Sequence, residues 1–358
     1  MPEKKNKKRI SLFVTEVIFT QESKFRLLND IFNSLKKKNI FFIILPFNEK
    51  FFKRKKKINL SPEVYVKKKI NFLSFFLAVK KINPDHFLIG GYGSIYCWIS
   101  LLYAKVFDKK VTLWSGASEI TTKNNNFFFN FLKIIFIMLV NNIVSYGSRS
   151  KSYLKNLSNK KKSIVAGINI SDIETIKKYK ILKNKNKIKN FLFVGRLSHI
   201  KGVDIILKVF KQIKPRNKFS LTFIGKGILE KDLKKEVNKN NNYFYLKNKK
   251  FKDLVKIYQN YDVLLVPSRL DPFSRVVSEG LAAGLFVIGS KYDDAAHELI
   301  VNGKNGLIID PLNFKNFLNV LFNIIKSRLP SKNKIQSSIN YKTSDNSKKI
   351  YQQIMNVI

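Results

Sequence analysis

The sequence predicts an α/β protein whose strands run parallel, organised as two domains. Three observations point there. Short apolar runs rich in Val, Ile, Leu and Phe alternate with longer amphipathic stretches through both halves of the chain, the pattern of buried parallel strands separated by helices. Several of these runs end in Gly or in Pro-Ser, which places turns at their carboxyl ends. A length of 358 residues suffices for two cores of ordinary size.

In the first half, residues 10–19, 40–46, 86–90 and 110–114 read as strands with helices between them. Asn83-Pro84-Asp85 precedes the third strand, and Gly90, Gly91 and Gly93 follow it, giving a backbone free of side-chain obstruction where a helix opens at Ser94. The strand ending in VTLWSGASE offers Ser115 and Glu119 as polar candidates at its carboxyl end. Residues 127–144 form the most apolar stretch. Asn130, Lys133, Asn141 and Asn142 interrupt it, and its apolar core at 134–140 falls far short of the roughly 20 residues a membrane span needs. It therefore reads as a buried helix leading into a strand at 143–146, with Tyr146-Gly147-Ser148 closing that strand and Ser148 bordering the binding edge.

In the second half, FLFVGR at 191–196 is a strand running into Gly-Arg, and Lys201 with Gly202 opens an amphipathic helix. Arg196 and Lys201 thus share a strand-to-helix loop. Arg offers a planar fork of donors and Lys a point charge, a pair suited to clamping a diphosphate. LTFIGKG at 221–227 is the next strand, ending in Gly225 and Gly227. Residues 263–266, VLLV, form a buried strand ended by Pro267-Ser268, which puts Asp271 on a loop. A helix follows from about Ser274 to Ala283 with Glu279 in its first turns, Gly284 stops it, and 285–290 is the next strand. Such a junction gathers unpaired N–H groups and partial positive charge at the carboxyl edge of a parallel sheet, where anionic ligands are held. The carboxylates beside it suit sugar and ribose hydroxyls.

The formal charge is +44, from 68 Lys and Arg against 24 Asp and Glu, and only nine of the basic residues are Arg. Abundant Lys, Asn, Ile and Phe match an AT-rich coding bias, while a functional reading is attraction to nucleic acid or to anionic lipid. The dense basic runs at 4–9, 36–38, 53–57, 67–69 and 160–162 fall mostly in the first half, and no nucleic-acid module or base-stacking motif accompanies them. An anionic membrane surface fits better, with Phe51 and Phe52 beside the run at 53–57 placed to insert. The opening residues run straight into a core strand and do not read as a signal peptide. A single cysteine, Cys97, excludes a disulfide framework within the chain and a zinc set, and is consistent with a reducing cytoplasm. His86 reads as structural, His199 sits between the two candidate cations, and His297 caps or packs a helix.

Order and spacing of these pieces resemble the family-four (group 1) glycosyltransferases of GT-B fold. The resemblance rests on Gly195-Arg196-Leu197, Lys201-Gly202-x-Asp204, the Gly225 and Gly227 turn, Asp271-Pro272-Phe273 with Glu279, and the closing Asn305-Gly306 pair. It departs from the family at Asp271 for Glu, at Ser274 for Gly, at Gly280 for Ala, and at Trp114-Ser115-Gly116 where many relatives carry a His. Asp for Glu keeps the charge and shortens the reach by roughly 1.5 Å.

The resemblance implies two Rossmann-like domains facing across a cleft: 1–170 for the acceptor, a linker at 171–189, 190–335 for the nucleotide sugar, and a terminal helix within 336–358 crossing back. It implies a retaining transfer of a hexosyl group from a UDP- or GDP-linked sugar to a saccharide or lipid-linked acceptor of the cell envelope, such as lipopolysaccharide, without metal or cofactor. Arg196 and Lys201 would neutralise the leaving diphosphate, and Glu279 would take the ribose hydroxyls. Asp271 with the N–H groups of Phe273 and Ser274 would orient the sugar, and the backbone of Val276 and Val277 would meet the β-phosphate. Gly225 and Gly227 would lie close to the nucleotide, with Gly91, Ser115, Glu119 and Ser148 lining the cleft. The expected location is cytoplasmic, on the inner face of the plasma membrane. Two other readings stay open: a sugar- or nucleotide-binding protein of this fold without catalysis, and a basic nucleic-acid-binding protein.

Overall fold

The computed structural model describes residues 9–14, 39–44, 63–65, 71–122, 126–158, 164–166, 173–179, 189–213 and 219–339. The basic runs at 36–38, 53–57, 67–69 and 160–162, almost all of the run at 4–9, Phe51 and Phe52, and the terminal stretch beyond 339 lie outside these residues. The described residues fall into two compact units, 9–166 and 173–339.

The first unit is a parallel sheet of β1 (Arg9–Val14), β2 (Asn39–Ile44), β3 (Glu63–Tyr65), β4 (His86–Ile89), β5 (Lys110–Ser115), β6 (Asn142–Ser145) and β7 (Ile164–Ala166), in the order β3-β2-β1-β4-β5-β6-β7. Helices α1 (Phe72–Ile82), α2 (Ile95–Val106), α3 (Phe127–Leu139) and α4 (Ser148–Leu157) connect the later strands. β4 is buried throughout, so it reads as a continuous apolar run, and its one polar residue, His86, bonds through Nε2 to Thr112 Oγ1 at 2.9 Å. Phe75, Phe87, Leu101 and Phe136 form the centre of the core. Asn71, Ser94 and Asn126 cap the starts of α1, α2 and α3 by accepting backbone N–H groups.

The stretch at 127–144 is not a buried helix: of α3 only Lys133, Phe136 and Ile137 are buried, and Phe127 is 85% exposed. The helix rides on the outside of its unit, and hydrophobicity on every side of a helix does not by itself say which side faces the core.

The second unit is a parallel sheet of β8 (Lys189–Val194), β9 (Phe219–Gly225), β10 (Tyr243–Lys247), β11 (Val263–Val266), β12 (Phe286–Ser290) and β13 (Gly306–Ile309), ordered β10-β9-β8-β11-β12-β13. Phe191, Phe210 and Phe219 pack edge-on and tilted at 5.2 and 5.4 Å between ring centres, fixing α6 (Val203–Phe210) against the sheet, and α7 (Glu230–Lys239) follows β9. The stretch expected as a linker carries α5 (Ile173–Lys177), whose Ile173 and Ile176 are buried.

Strand order reverses between β8 and β11, the point at which sheets of this kind bind ligands. Asp262 locks the start of the pair: its N–H donates to Asn190 O, and its carboxylate accepts from Asn190 N, each at 2.9 Å. The register of the two strands is limited to Val263 with Phe191 and Leu264 with Leu192, so their carboxyl ends are left unpaired with one another.

Candidate functional site

Two loops leave the carboxyl ends of β8 and β11, and they carry the residues the sequence singled out. After β8 the chain runs through Gly195, Arg196, Leu197 and Ser198 into a tight turn at His199–Lys201. Gly202 follows at φ +74°, and α6 starts at Val203. Lys201 therefore does not open the helix as expected; it ends the turn before it, and a left-handed glycine separates the two. A side chain at Gly202 would also overlap the backbone carbonyl of Pro267 in the β11 loop.

The loop after β9 clamps the first of these from the side. Gly195 N donates to Ile224 O at 3.0 Å and Leu197 N to Lys226 O at 2.9 Å. A Cβ on Gly225 would overlap Gly195 O, and one on Gly227 would overlap Leu197 O. These two glycines are thus required by the approach of two backbones within the unit, which holds Arg196 at the edge of the sheet with its side chain exposed.

Asp271 is the centre of the second loop. It is 6% exposed, and Lys201 Nζ pairs with its Oδ2. Ser274 Oγ donates to the same oxygen at 2.5 Å and Phe273 N to Oδ1 at 3.1 Å. Two residues the sequence assigned to separate tasks, a phosphate cation and a sugar carboxylate, are joined in one ion pair that ties the two loops together. Ser274, the departure from glycine, is buried, and it bonds Asp271 directly.

Beneath Asp271 lies Asp293, a residue the sequence reading passed over. It is fully buried, and its Oδ1 accepts from Ser274 N at 3.1 Å and from Ala295 N at 2.9 Å. Burial, and after it the negative charge of Asp271, push its carboxyl up to about 7. The pattern Asp293 followed by α10 (Asp294–Leu299) is a helix N-cap, which was the available signal. The N–H groups of Phe273 and Ser274, expected to face a sugar, are both bonded to these carboxylates, and Val277 N donates to Ser274 O at 3.2 Å.

Glu279 lies on α9 (Arg275–Ala282), 6% exposed, and accepts from Tyr258 Oη at 2.7 Å. Tyr258 ends α8 (Phe251–Tyr258) and is fully buried; burial, then the neighbouring Glu279, raise its phenol well above the usual range, so it remains a donor. Val276 is half-buried and Val277 buried on the same helix.

Arg269 was also missed. Its guanidinium forks onto Asp204 at 2.8 and 2.7 Å, donates to His199 O, and its backbone N bonds Ile200 O at 2.8 Å. It holds the turn that carries Lys201. Hydrogen bonds from the guanidinium, together with its charge, outweigh partial burial and lower the Asp204 carboxyl. The partners are 65 residues apart, so no local pattern announces them. His199 lies 3.5 Å from Asp204, and His297 contacts Lys291 O at 2.9 Å.

In the first unit, Glu119 and Ser148 line one pocket of about 280 Å³ with Ser118, Arg149 and Tyr153. Ser115 is buried at the end of β5, its Oγ accepting Ala117 N at 3.1 Å. Any side chain at Gly116 would run into the ring of Tyr146, which leaves no room there for a histidine. Gly91 adopts φ +125° with open space where a Cβ would stand. Among the described residues no cluster of His, Cys, Asp and Glu has the geometry to hold a metal ion.

Cations, buried carboxylates and backbone-tight glycines thus gather at the switch point of a parallel sheet, where α/β proteins of this class hold their ligands. Residues 173–342 match the family Glycosyl transferases group 1. An uncharacterized glycosyltransferase of Methanocaldococcus jannaschii is 30% identical over 175 residues, 48% of this chain and 46% of that protein. The chain thus spans less than half the length of the curated relatives it matches. Anabaena HepE, solved in complex with UDP, is similar over 97% of this chain and 98% of its own, with a TM-score of 0.77 at 14% identity. The lipopolysaccharide outer core galactosyltransferase WaaB is similar over 98% of both chains, with a TM-score of 0.75 at 17% identity. The fold is that of GT-B glycosyltransferases.

Proposed function

We propose that this protein is a retaining, metal-independent glycosyltransferase that moves a hexosyl group from a nucleoside-diphosphate sugar to an acceptor hydroxyl. The observation that carries the reading is the joining of Lys201, Asp271 and Ser274 at the carboxyl ends of β8 and β11, with Arg196 exposed on the same β8 loop. In this mechanism the bond from the anomeric carbon to the diphosphate breaks and a bond to the acceptor oxygen forms on the same face, while the acceptor proton passes to the leaving phosphate. Arg196 and Lys201 stabilise the charge that develops on the diphosphate. The three N–H bonds of a Lys ammonium allow Lys201 to keep Asp271 while it meets a phosphate oxygen. Asp271 orients the sugar, and Glu279, held by Tyr258, receives the ribose hydroxyls.

HepE has been solved with UDP and with UDP-glucose, which makes UDP-hexoses the first donors to try. WaaB is by its name a lipopolysaccharide outer core galactosyltransferase, and this supports an envelope glycan or lipid-linked acceptor; the proposed location is the cytoplasmic face of the membrane. No helix among the described residues is long and apolar enough to cross a membrane.

The test is thermal shift with UDP, GDP and their hexose conjugates, followed by nucleoside diphosphate release on adding acceptors. A donor at about 100 times its Kd stabilises by about 2.7 kcal/mol. Arg196→Ala is expected to weaken donor binding at least about tenfold, or about 1.4 kcal/mol, because a charge-assisted contact is lost. Unchanged turnover in Arg196→Ala and Glu279→Ala overturns the assignment. Binding of a donor with no release favours a second reading, a sugar-nucleotide-binding protein without transfer. That reading is motivated by the closed hydrogen bonding of Phe273 N and Ser274 N within the site.

A further inference from the structure

The first unit turns an apolar face outward. α3 is the clearest case: Phe127, Phe128, Phe131 and Met138 lie on its exposed side, at helical spacing. Its polar residues point the other way. Lys133 is 3% exposed and donates to Asn130 Oδ1 at 3.0 Å and to Tyr153 Oη at 2.6 Å. A surface helix in water has the opposite polarity.

The two helices beside it repeat the pattern. Trp98 of α2 packs on Phe136 of α3 at 4.9 Å between ring centres, and Phe76 of α1 packs on Tyr103 of α2 at 5.8 Å, so α2 lies between α1 and α3. On α1 the exposed stripe is Phe72, Leu73, Phe76 and Leu77, and on α2 it is Ile95, Leu102 and Val106. Both stripes end in lysine: Lys80 and Lys81 close α1, and Lys105 lies in the last turn of α2. None of the three helices contains an acidic residue. The exposed large apolar side chains described in the second unit come instead from separate turns and one strand, Ile228 and Phe244 among them.

We infer that the face formed by α1, α2 and α3 docks on an anionic lipid bilayer, with the Phe side chains of α3 entering the headgroup boundary and the lysines meeting lipid phosphates. Contiguous apolar surface over three adjacent helices marks an interaction site, and single exposed residues do not. Exposed apolar stripes with lysines at the ends of two of the three helices are a composition that partitions into an anionic interface. A second copy of the chain is a poorer occupant. A twofold contact through this face brings a patch containing only positive charge against itself. The inference stands independently of the transferase reading, since docking is measured without donor or acceptor.

The full chain is mixed with phosphatidylglycerol–phosphatidylethanolamine vesicles and with phosphatidylcholine vesicles, and partition is measured by flotation at low and high salt. A chain of charge +44 adsorbs to any anionic vesicle at low salt, so high salt is the informative condition. The expected result is that binding to the anionic vesicles persists there and that Phe127→Ser with Phe131→Ser reduces it at least about tenfold, because buried aromatic area is lost. Both positions are exposed, and an unchanged melting temperature confirms that the variant folds. A Phe131→Trp variant is expected to shift its emission to the blue and to be quenched by brominated lipid. Equal partition of the double variant and the parent at high salt, or no quenching of Phe131→Trp, overturns the proposal. So does a concentration-dependent dimer that the same double variant dissolves, since the face is then occupied by a second copy.

Discussion

Asp293→Asn is expected to remove a pH dependence of folding stability that the native chain carries between about pH 4 and pH 7. The folded carboxyl is raised from 3.8 to about 7, by burial first and by Asp271 second. Between those values the folded state keeps a proton that the unfolded chain has released, so stability falls as pH rises through this window and levels off above it. At about 1.4 kcal/mol per pH unit, the whole effect is about 4 kcal/mol. Asn keeps the oxygen that accepts from Ser274 N and Ala295 N. Its amide group takes the place of Oδ2, which has no hydrogen-bond partner among the described residues, and an unpartnered buried donor costs about 1–3 kcal/mol. The variant should therefore be more stable than the parent at pH 8 by about 1–3 kcal/mol, and less favoured or equal at pH 5. Urea denaturation of both proteins from pH 5 to pH 8.5 checks this. The difference between them isolates Asp293, because groups with lowered carboxyls such as Asp204 and Asp310 are common to both. A difference that is flat across the range, or that grows in favour of the parent as pH rises, refutes the reasoning.

Gly225→Ala should lower stability by about 2 kcal/mol or more, since the added Cβ displaces the Gly195 carbonyl and with it the loop bearing Arg196; denaturation midpoints, with UDP affinity measured alongside, check both consequences. Tyr258→Phe should cost about 2 kcal/mol by withdrawing the donor at 2.7 Å from buried Glu279. If its stability equals the parent's, the hydrogen bond is not what holds that carboxylate.

The second unit was legible because its strands are continuous apolar runs with Gly or Pro-Ser at their ends. Gly284 was read as the stop of a helix and does stand after α9 at φ +79°. Lys201 was expected to open a helix and instead ends a turn, because a loop's conformation depends on what packs across it, here Pro267 and Arg269. Asp293 was overlooked for a related reason: its weight comes from burial beneath Asp271, 22 positions away in sequence. α3 was misread since hydrophobicity around a whole helix is compatible with a core position and with an apolar surface alike.

By itself the sequence determined the parallel α/β class, the places where strands end, and the residue types gathered at those ends, because period, β-branching and turn residues act locally. Only the tertiary structure decided which of those residues meet. Lys201 with Asp271, Tyr258 with Glu279 and Arg269 with Asp204 are pairs 70, 21 and 65 positions apart. Their contacts follow from the order of strands in the sheet, and that order is fixed by how two faces of helices cover one core, which no local pattern records.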